Sequence, residues 1–244
     1  MMKIFGTCAY KGTNYHGWQK QVDRVSVQNT IEEALSLIYN TKITIFGSGR
    51  TDAGTHAHRQ SFHFEAPKQK DLAQLTYALN KILPVDIKIH GLSTVDDSFH
   101  ARFSVKRKIY EYHIVLTNKE PFFYGTAYIY PFEFDYPLFK KALQLFIGEH
   151  NFQDFTSRED DEFNFVRVIY DIKVKKKGNL VIVTFEGNGF MRYQIRNIVG
   201  TALAVASKKE LLDFITAHLE HTKDRAIVSY KAPACGLYLA DVKY

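Results

Sequence analysis

Gly49-Arg50-Thr51-Asp52-Ala53-Gly54-Thr55-His56 lies between two strand-like runs, with Thr44–Gly47 leading in and Phe62 and Phe64 leading out. The connection is longer than a tight hairpin requires. It carries a carboxylate, Asp52, that a core has no use for, and an arginine, Arg50, two residues before it. Glycines at 47, 49 and 54 permit tight turns and close approach of a backbone or ligand. An acid flanked by glycine and arginine in a basic chain points to chemistry on a polyanion. The loop is not a phosphate-binding P-loop, because no lysine follows at the required spacing, and GxGxxG is not met.

Working outward, the 244 residues are 45% hydrophobic, enough for a sizeable core in one elaborate domain or two small ones. The formal net charge of +6 and an isoelectric point near 9.1 favour acidic partners such as nucleic acid. Among 15 Tyr and 19 Phe, most Phe belong to the core and some aromatics are available to stack on unpaired bases. Cys8 and Cys235 stand far apart in apolar runs, so no disulfide framework is expected and a reducing cytosol is the default. Met1–Tyr10 has no long apolar segment of the signal-peptide kind, and no apolar run reaches the ~18 residues of a membrane span.

Periodicity predicts five helices. Ser26 caps the first, with Val27, Ile31, Ala34, Leu35 and Ile38 on one face. Asp71 opens the second, which turns Leu72, Leu75, Leu79, Ile82 and Leu83 inward and ends at Pro84. Asp135 and Pro137 start the third, striped by Leu138, Phe139, Ala142, Leu143 and Phe146 and stopped by Gly148. A fourth runs from about Met191 into Val205, and Ser207 to Glu210 reads as a capping box for a fifth. Strands are expected at Lys3–Tyr10, Lys42–Phe46, Gln60–Glu65, Asp86–His90, Ile109–Leu116, Val166–Val174, Leu180–Glu186 and Leu237–Lys243, with Lys177-Gly178-Asn179 as a hairpin turn. Helices and strands do not alternate strictly. The expected class is therefore α+β with a mainly antiparallel sheet and flanking helices. The least patterned crossing, Thr94–Lys108, is the candidate boundary between two α/β subdomains, residues 1–100 carrying the Asp loop and 101–244, around a basic cleft.

Two further segments carry chemistry. In Lys106-Arg107-Lys108-Ile109-Tyr110-Glu111-Tyr112, Tyr110 and Tyr112 share a strand face with Ile114, and Arg107 and Lys108 add phosphate-binding capacity. In Gly189-Phe190-Met191-Arg192-Tyr193-Gln194-Ile195-Arg196-Asn197, Arg192 and Arg196 lie one helical turn apart beside core-like Ile195, Ile198, Val199 and Ala202. An arginine at a core edge needs a carboxylate partner. His56, His58 and His63 lack a third ligand at standard spacing, HExxH and a cysteine pair, so no metal is expected. A glycosidase pair would need a second acid near Asp52, for which Glu65 and the Glu159–Glu162 cluster are poor candidates.

Taken in order, these segments resemble the tRNA pseudouridine synthase A family, the tRNA pseudouridine(38-40) synthases, nearly end to end. Tyr10-Lys11-Gly12-Thr13 with Gly17-Trp18-Gln19-Lys20-Gln21 is similar to the family's YDGT…GWQ.Q, Ser26-Val27-Gln28 to its TVQ, and Gly49–Gly54 to its GRTDAG. Ala78-Leu79-Asn80 with Leu83-Pro84, Phe99-His100-Ala101-Arg102-Phe103-Ser104, Arg107…Tyr110-Glu111-Tyr112, Phe190 to Gly200, and Ala232-Pro233-Ala234-Cys235-Gly236-Leu237-Tyr238-Leu239 complete the match. Lys11 replaces the family's Asp, Thr55 its Val, and the stretch after Val205 is short.

The resemblance implies a pseudouridine-synthase-like fold and isomerisation of uridine to pseudouridine in the tRNA anticodon stem-loop, with no cofactor or metal. It implies three catalytic residues: Asp52 as nucleophile or base, Arg196 paired with Asp52, and Tyr110 stacked on the flipped uracil and placed to move a proton. Arg50 would contact the phosphate backbone or help fill the position vacated by the flipped base, and Leu237 would close the apolar side of the pocket. Arg102, Arg107 and Lys108 are candidates for phosphate contacts. The resemblance further implies a homodimer with RNA crossing both subunits. The alternatives are a paralogue modifying other RNA uridines, a non-catalytic RNA-binding module, in which Asp52 is dispensable, and a glycosidase or nucleosidase, which releases free base and needs a second acid.

Overall fold

The structure, a computed structural model, describes residues 2–157, 163–220 and 226–244. The Glu159–Glu162 cluster lies outside the described residues. The chain forms two compact units: residues up to Lys106 together with Tyr238–Tyr244, and Arg107–Leu237. Among the described residues no helix is long and apolar enough to cross a membrane.

The first unit runs β1 (Met2–Tyr10), α1 (Val27–Tyr39), β2 (Ile45–Gly47), β3 (His56–Ala66), α2 (Leu72–Ile82) and β4 (Ile87–Thr94). β1 pairs antiparallel with both β3 and β4, and β2 pairs antiparallel with β3. The C-terminal strand β10 (Leu237–Lys243) joins β3 in parallel, Tyr238 opposite His56. Alternation sorts β3 onto two faces. Phe62 and Phe64 are fully buried on one, where Trp18 and Tyr39 meet them. Burying each phenylalanine is worth about 2–3 kcal/mol. Gly6 lies opposite Phe62, whose ring occupies the space a side chain at position 6 would need. The other face gathers Phe5, His63, Phe99 and Tyr244 edge to face.

The second unit runs β5 (Arg107–Val115), β6 (Tyr128–Ile129), α3 (Tyr136–Gln144), β7 (Gly148–Asn151), β8 (Val166–Lys177), β9 (Leu180–Gly187), α4 (Gln194–Ala206) and α5 (Leu212–Leu219). β5, β9, β8 and β7 pair antiparallel in that order, and β6 adds to β5 in parallel. Gly178 takes a positive φ in the two-residue turn between β8 and β9. Tyr110, Tyr112 and Ile114 share the buried face of β5, as the period of two requires. α4 is buried around almost its whole circumference and packs against α3, while Gly200 lies against the Tyr230–Ala232 backbone with no room for a side chain. The two units are thus α+β with mainly antiparallel strands, the expected class.

Three readings need correction. Helix α3 ends at Gln144, four residues before Gly148, which instead opens β7 with φ +113°. Ser207 is no N-cap: its hydroxyl donates to the Leu203 and Ala204 carbonyls and closes α4, while α5 begins at Leu212 without a side-chain cap. Ile82 is exposed and Leu72 half-buried, because only the Leu75–Leu79 row of α2 faces inward. Ser26, Asp71 and Asp135 do cap their helices, accepting from Asn29, Gln74 and Leu138 N–H.

His63 gives the first unit a pH dependence. Its Nδ1 accepts the Ala101 N–H at 3.1 Å, and its ring stacks on Phe46. Burial, then His100 and Lys3 nearby, lower its pKa to about 4. Between pH ~6.5 and ~4 the unfolded chain holds a proton there that the folded chain does not, so stability is full above ~6.5 and falls on acidification through that window. The expected loss is on the order of 3 kcal/mol, the pKa difference at about 1.4 kcal/mol per unit. Thermal melts of wild type and His63→Asn from pH 7 to 4 check this, and the variant's curve should be flatter.

Candidate active site

The Asp52 loop sits in a mould built from the N-terminal segment. Gly12 and Gly17 lie so close to it that a Cβ on either would overlap the carbonyl oxygens of Thr55 and Thr51. Gly17 also needs a φ of +87°. Gly47 lies against the Trp18 indole with no room for a side chain. Hydrogen bonds fix what the glycines admit. Trp18 N–H donates to Thr51 O, Gly54 N–H to Tyr15 O, and Thr55 N–H to Asp52 O. The Tyr10 hydroxyl pairs with Thr51 Oγ1 at 2.8 Å. Gln60 ties the upstream limb, holding Ser48 Oγ through Oε1 and Gly49 O through Nε2. His56 closes the downstream limb, its Nδ1 accepting the Gly12 N–H. Asp52 is thereby held half-buried at the crest of a loop anchored at both ends.

A buried polar relay supports the mould from α1. Glu32 Oε1 accepts from Gln28 Nε2 and from Ile45 N–H, and Gln28 Oε1 accepts from Gln19 Nε2 and Lys20 N–H. Gln19 in turn accepts from Arg50 Nε at 3.2 Å, which orients this exposed arginine beside Asp52. The reading of α1 as an apolar stripe missed Gln28 and Glu32. Their i, i+4 spacing on the face of Ile31 and Leu35 was the available signal.

In the second unit Tyr110 is buried on β5 with Phe190 edge-on at 5.3 Å. Tyr112, two residues on, donates its hydroxyl to Pro233 O at 2.6 Å, and burial pushes its pKa up, so it remains a donor. Gly236 packs directly on the Tyr112 ring. From the other side Arg196 donates Nε to Ala232 O at 2.8 Å, and Ala232 N–H returns a bond to Arg196 O. Residues 232–236 are therefore stitched to both β5 and α4, which delivers the buried Leu237 to a defined place. Tyr193, immediately before α4, adopts the left-handed conformation (φ +66°), costing about 1–2 kcal/mol for a side chain of this type.

The remaining candidates divide. Arg102, exposed in the first unit, has its guanidinium 5.7 Å from the Phe103 ring. Arg107 is engaged with Glu186 Oε1 at 2.8 Å and lies over Tyr170, which competes with any phosphate contact, and Lys108 beside it is half-buried. Arg50 and Asp52 share one loop. Tyr110, Arg196 and Leu237 share the β5–α4 framework of the other unit.

Two substitutions test the mould. Gly12→Ala forces a Cβ against backbone that cannot give way, and should cost at least about 2 kcal/mol by denaturant unfolding. Thr55→Val should do the opposite. Its Oγ1 is buried with no hydrogen-bond partner among the described residues, at the position where the resembled motif carries valine. Removing it at constant shape should add about 1 kcal/mol.

A model of the tRNA pseudouridine synthase family matches residues 7–104 and 142–244. The tRNA pseudouridine synthase A of Anoxybacillus flavithermus is 38% identical over 245 residues, covering 100% of this chain and 99% of the relative. The tRNA pseudouridine synthase A 1 of Protochlamydia amoebophila is 39% identical over 243 residues, covering 98% and 94%. That of Thermoanaerobacter sp. (strain X514) is 36% identical over 248 residues, covering 100% of both. The match takes in the Asp52 loop, the mould that seats it and the α4 segment, and on that footing the chain belongs to the tRNA pseudouridine synthase A family.

Proposed function

We propose that this protein isomerises uridine to pseudouridine in the anticodon stem-loop of tRNA, with Asp52 as the catalytic carboxylate. The observation that carries the reading is the loop itself. A carboxylate is held by glycine contacts and backbone hydrogen bonds at both ends, in a member of a tRNA-modifying family. Such rigidity serves chemistry in which a group must meet one carbon of a substrate already in place.

The reaction breaks the N1–C1′ bond, turns the uracil, and forms a C5–C1′ bond. N1 ends with a proton and C5 releases one to water, so no electrons are gained or lost. Asp52 acts at the sugar as nucleophile or as base. Arg196 holds the carboxylate ionised, Tyr110 stacks on the extruded uracil, and Leu237 bounds its apolar side. Arg50, Arg102 and Lys108 meet the RNA backbone. Arg107 is the weakest of the set, given its ion pair with Glu186. Extruding the nucleotide costs a few kcal/mol, least in a loop or at a stem end, and this favours an anticodon stem-loop target. The protein works as a homodimer in the cytoplasm, with tRNA crossing both subunits.

The test uses tRNA carrying tritium at uridine C5, without added metal or nucleotide. Wild type should release tritium to water, and Asp52→Asn should lose at least about a thousandfold in rate while keeping its tRNA affinity. Turnover by the variant close to wild type would remove Asp52 from the mechanism.

A further inference from the structure

Three cations converge on the ring of Tyr193. Lys231 Nζ lies 4.5 Å from its centroid, the Arg192 guanidinium 4.7 Å and the Arg196 guanidinium 5.0 Å. They come from both limbs of the stitch, Arg192 from just before α4, Arg196 from its first turn, and Lys231 from the segment that Arg196 holds through Ala232. No two can be more than about 10 Å apart, roughly one Debye length at moderate salt, so their mutual repulsion is not screened away. Arg192 and Lys231 are exposed, and among the described residues neither has a carboxylate within ion-pair distance. Arg192 donates Nη2 to the Tyr193 oxygen at 2.8 Å, which leaves the phenolic proton pointing elsewhere for an acceptor.

We propose that Arg192, Lys231 and the Tyr193 hydroxyl form a phosphodiester-binding site for the RNA backbone next to the target uridine. The site rests on the proposed reaction for its substrate but not for its geometry. A phosphate accepts from the guanidinium, the ammonium and the hydroxyl together, and its charge offsets the repulsion the three cations hold in its absence. The Tyr193 ring keeps the two long side chains gathered before RNA arrives, which reduces the ordering required on binding. Because Arg196 shares the same ring, a phosphate seated here sets the distance between the backbone and the catalytic arginine. Arg192 and Lys231 are thus positioning residues, distinct from the groups that touch the reacting atoms.

The experiment pairs charge removal on both partners. An anticodon stem-loop is made with a neutral methylphosphonate at one linkage at a time around the target uridine. Binding is measured for wild type, Lys231→Gln, and Arg192→Gln with Lys231→Gln, each checked for an unchanged thermal midpoint. Lys231→Gln alone is an exposed change and keeps the test open if the double variant fails to fold. At one linkage the methylphosphonate should weaken wild type several-fold yet weaken the variants little further. The slope of log affinity against log salt should fall by about one for each cation removed. Additive losses at every linkage, or folded variants with the wild-type slope, would overturn the site. Binding is read without turnover, so absence of tritium release from wild type would count against the isomerase reading alone.

Discussion

The closest constraint in the first unit is the lack of space between the N-terminal segment and the Asp52 loop. Gly12, Gly17 and Gly47 are placed where a single added carbon meets backbone or indole. That intimacy turns an eight-residue connection between β2 and β3 into a fixed shelf. A loop held only by its strand ends would sample many conformers, and each ordered residue would cost about 1–2 kcal/mol at the moment of binding. Here the ordering is supplied on folding by Trp18, Tyr10, Gln60 and His56. These side chains are buried, so their stabilisation is already counted in the core.

The second unit solves a related problem by different means. Its candidate site residues Tyr110 and Arg196 sit on a strand and a helix, which are stiff without help, but Lys231 lies on an irregular segment that leads into Leu237 at the start of β10. Two hydrogen bonds to consecutive carbonyls, from Arg196 to Ala232 and from Tyr112 to Pro233, fix that segment to α4 and β5. The Tyr112 phenol stays a donor because burial holds its pKa high. Arg196 has a structural bond through Nε whatever its other nitrogens do. Substituting it would disturb Leu237 and Lys231 together with the catalytic chemistry proposed for it.

Much of this was legible in the chain. Ser26, Asp71 and Asp135 announced helix starts because capping is local, and the alternation of Tyr110, Tyr112 and Ile114 fixed a strand face because the period of two is local as well. The misread places are those where a distant partner decides. Gly148 looked like a helix stop but opens β7, because pairing with β8 outweighs its local preference. The Ser207–Glu210 spacing fits a capping box, but Ser207 faces back to the Leu203 and Ala204 carbonyls at the end of α4. Gln28 and Glu32 were hidden because buried polar groups are recognisable only when their partners, here Ile45 and Gln19, are brought to them. The Asp52 loop stood out on its own residues, whereas the mould beneath it did not. Nothing local in Gly12 or Gly17 says that their neighbour is forty residues away.

The placement of charge follows from what an isomerisation demands. With no electrons transferred and no leaving group lost, the barrier must be lowered by position and field alone, and the detached uracil must not escape. On the proposed mechanism one cation, Arg196, pairs with Asp52 and keeps it ionised, and the others hold the RNA. Four arginines are tethered: Arg50 by Gln19, Arg107 by Glu186, and Arg192 and Arg196 by Tyr193. A tethered cation has a fixed distance to the backbone it meets, so its attraction contributes to register as well as affinity. The net charge of +6 favours the approach of a polyanion, and on the proposed mechanism the tethers set where along it Asp52 acts.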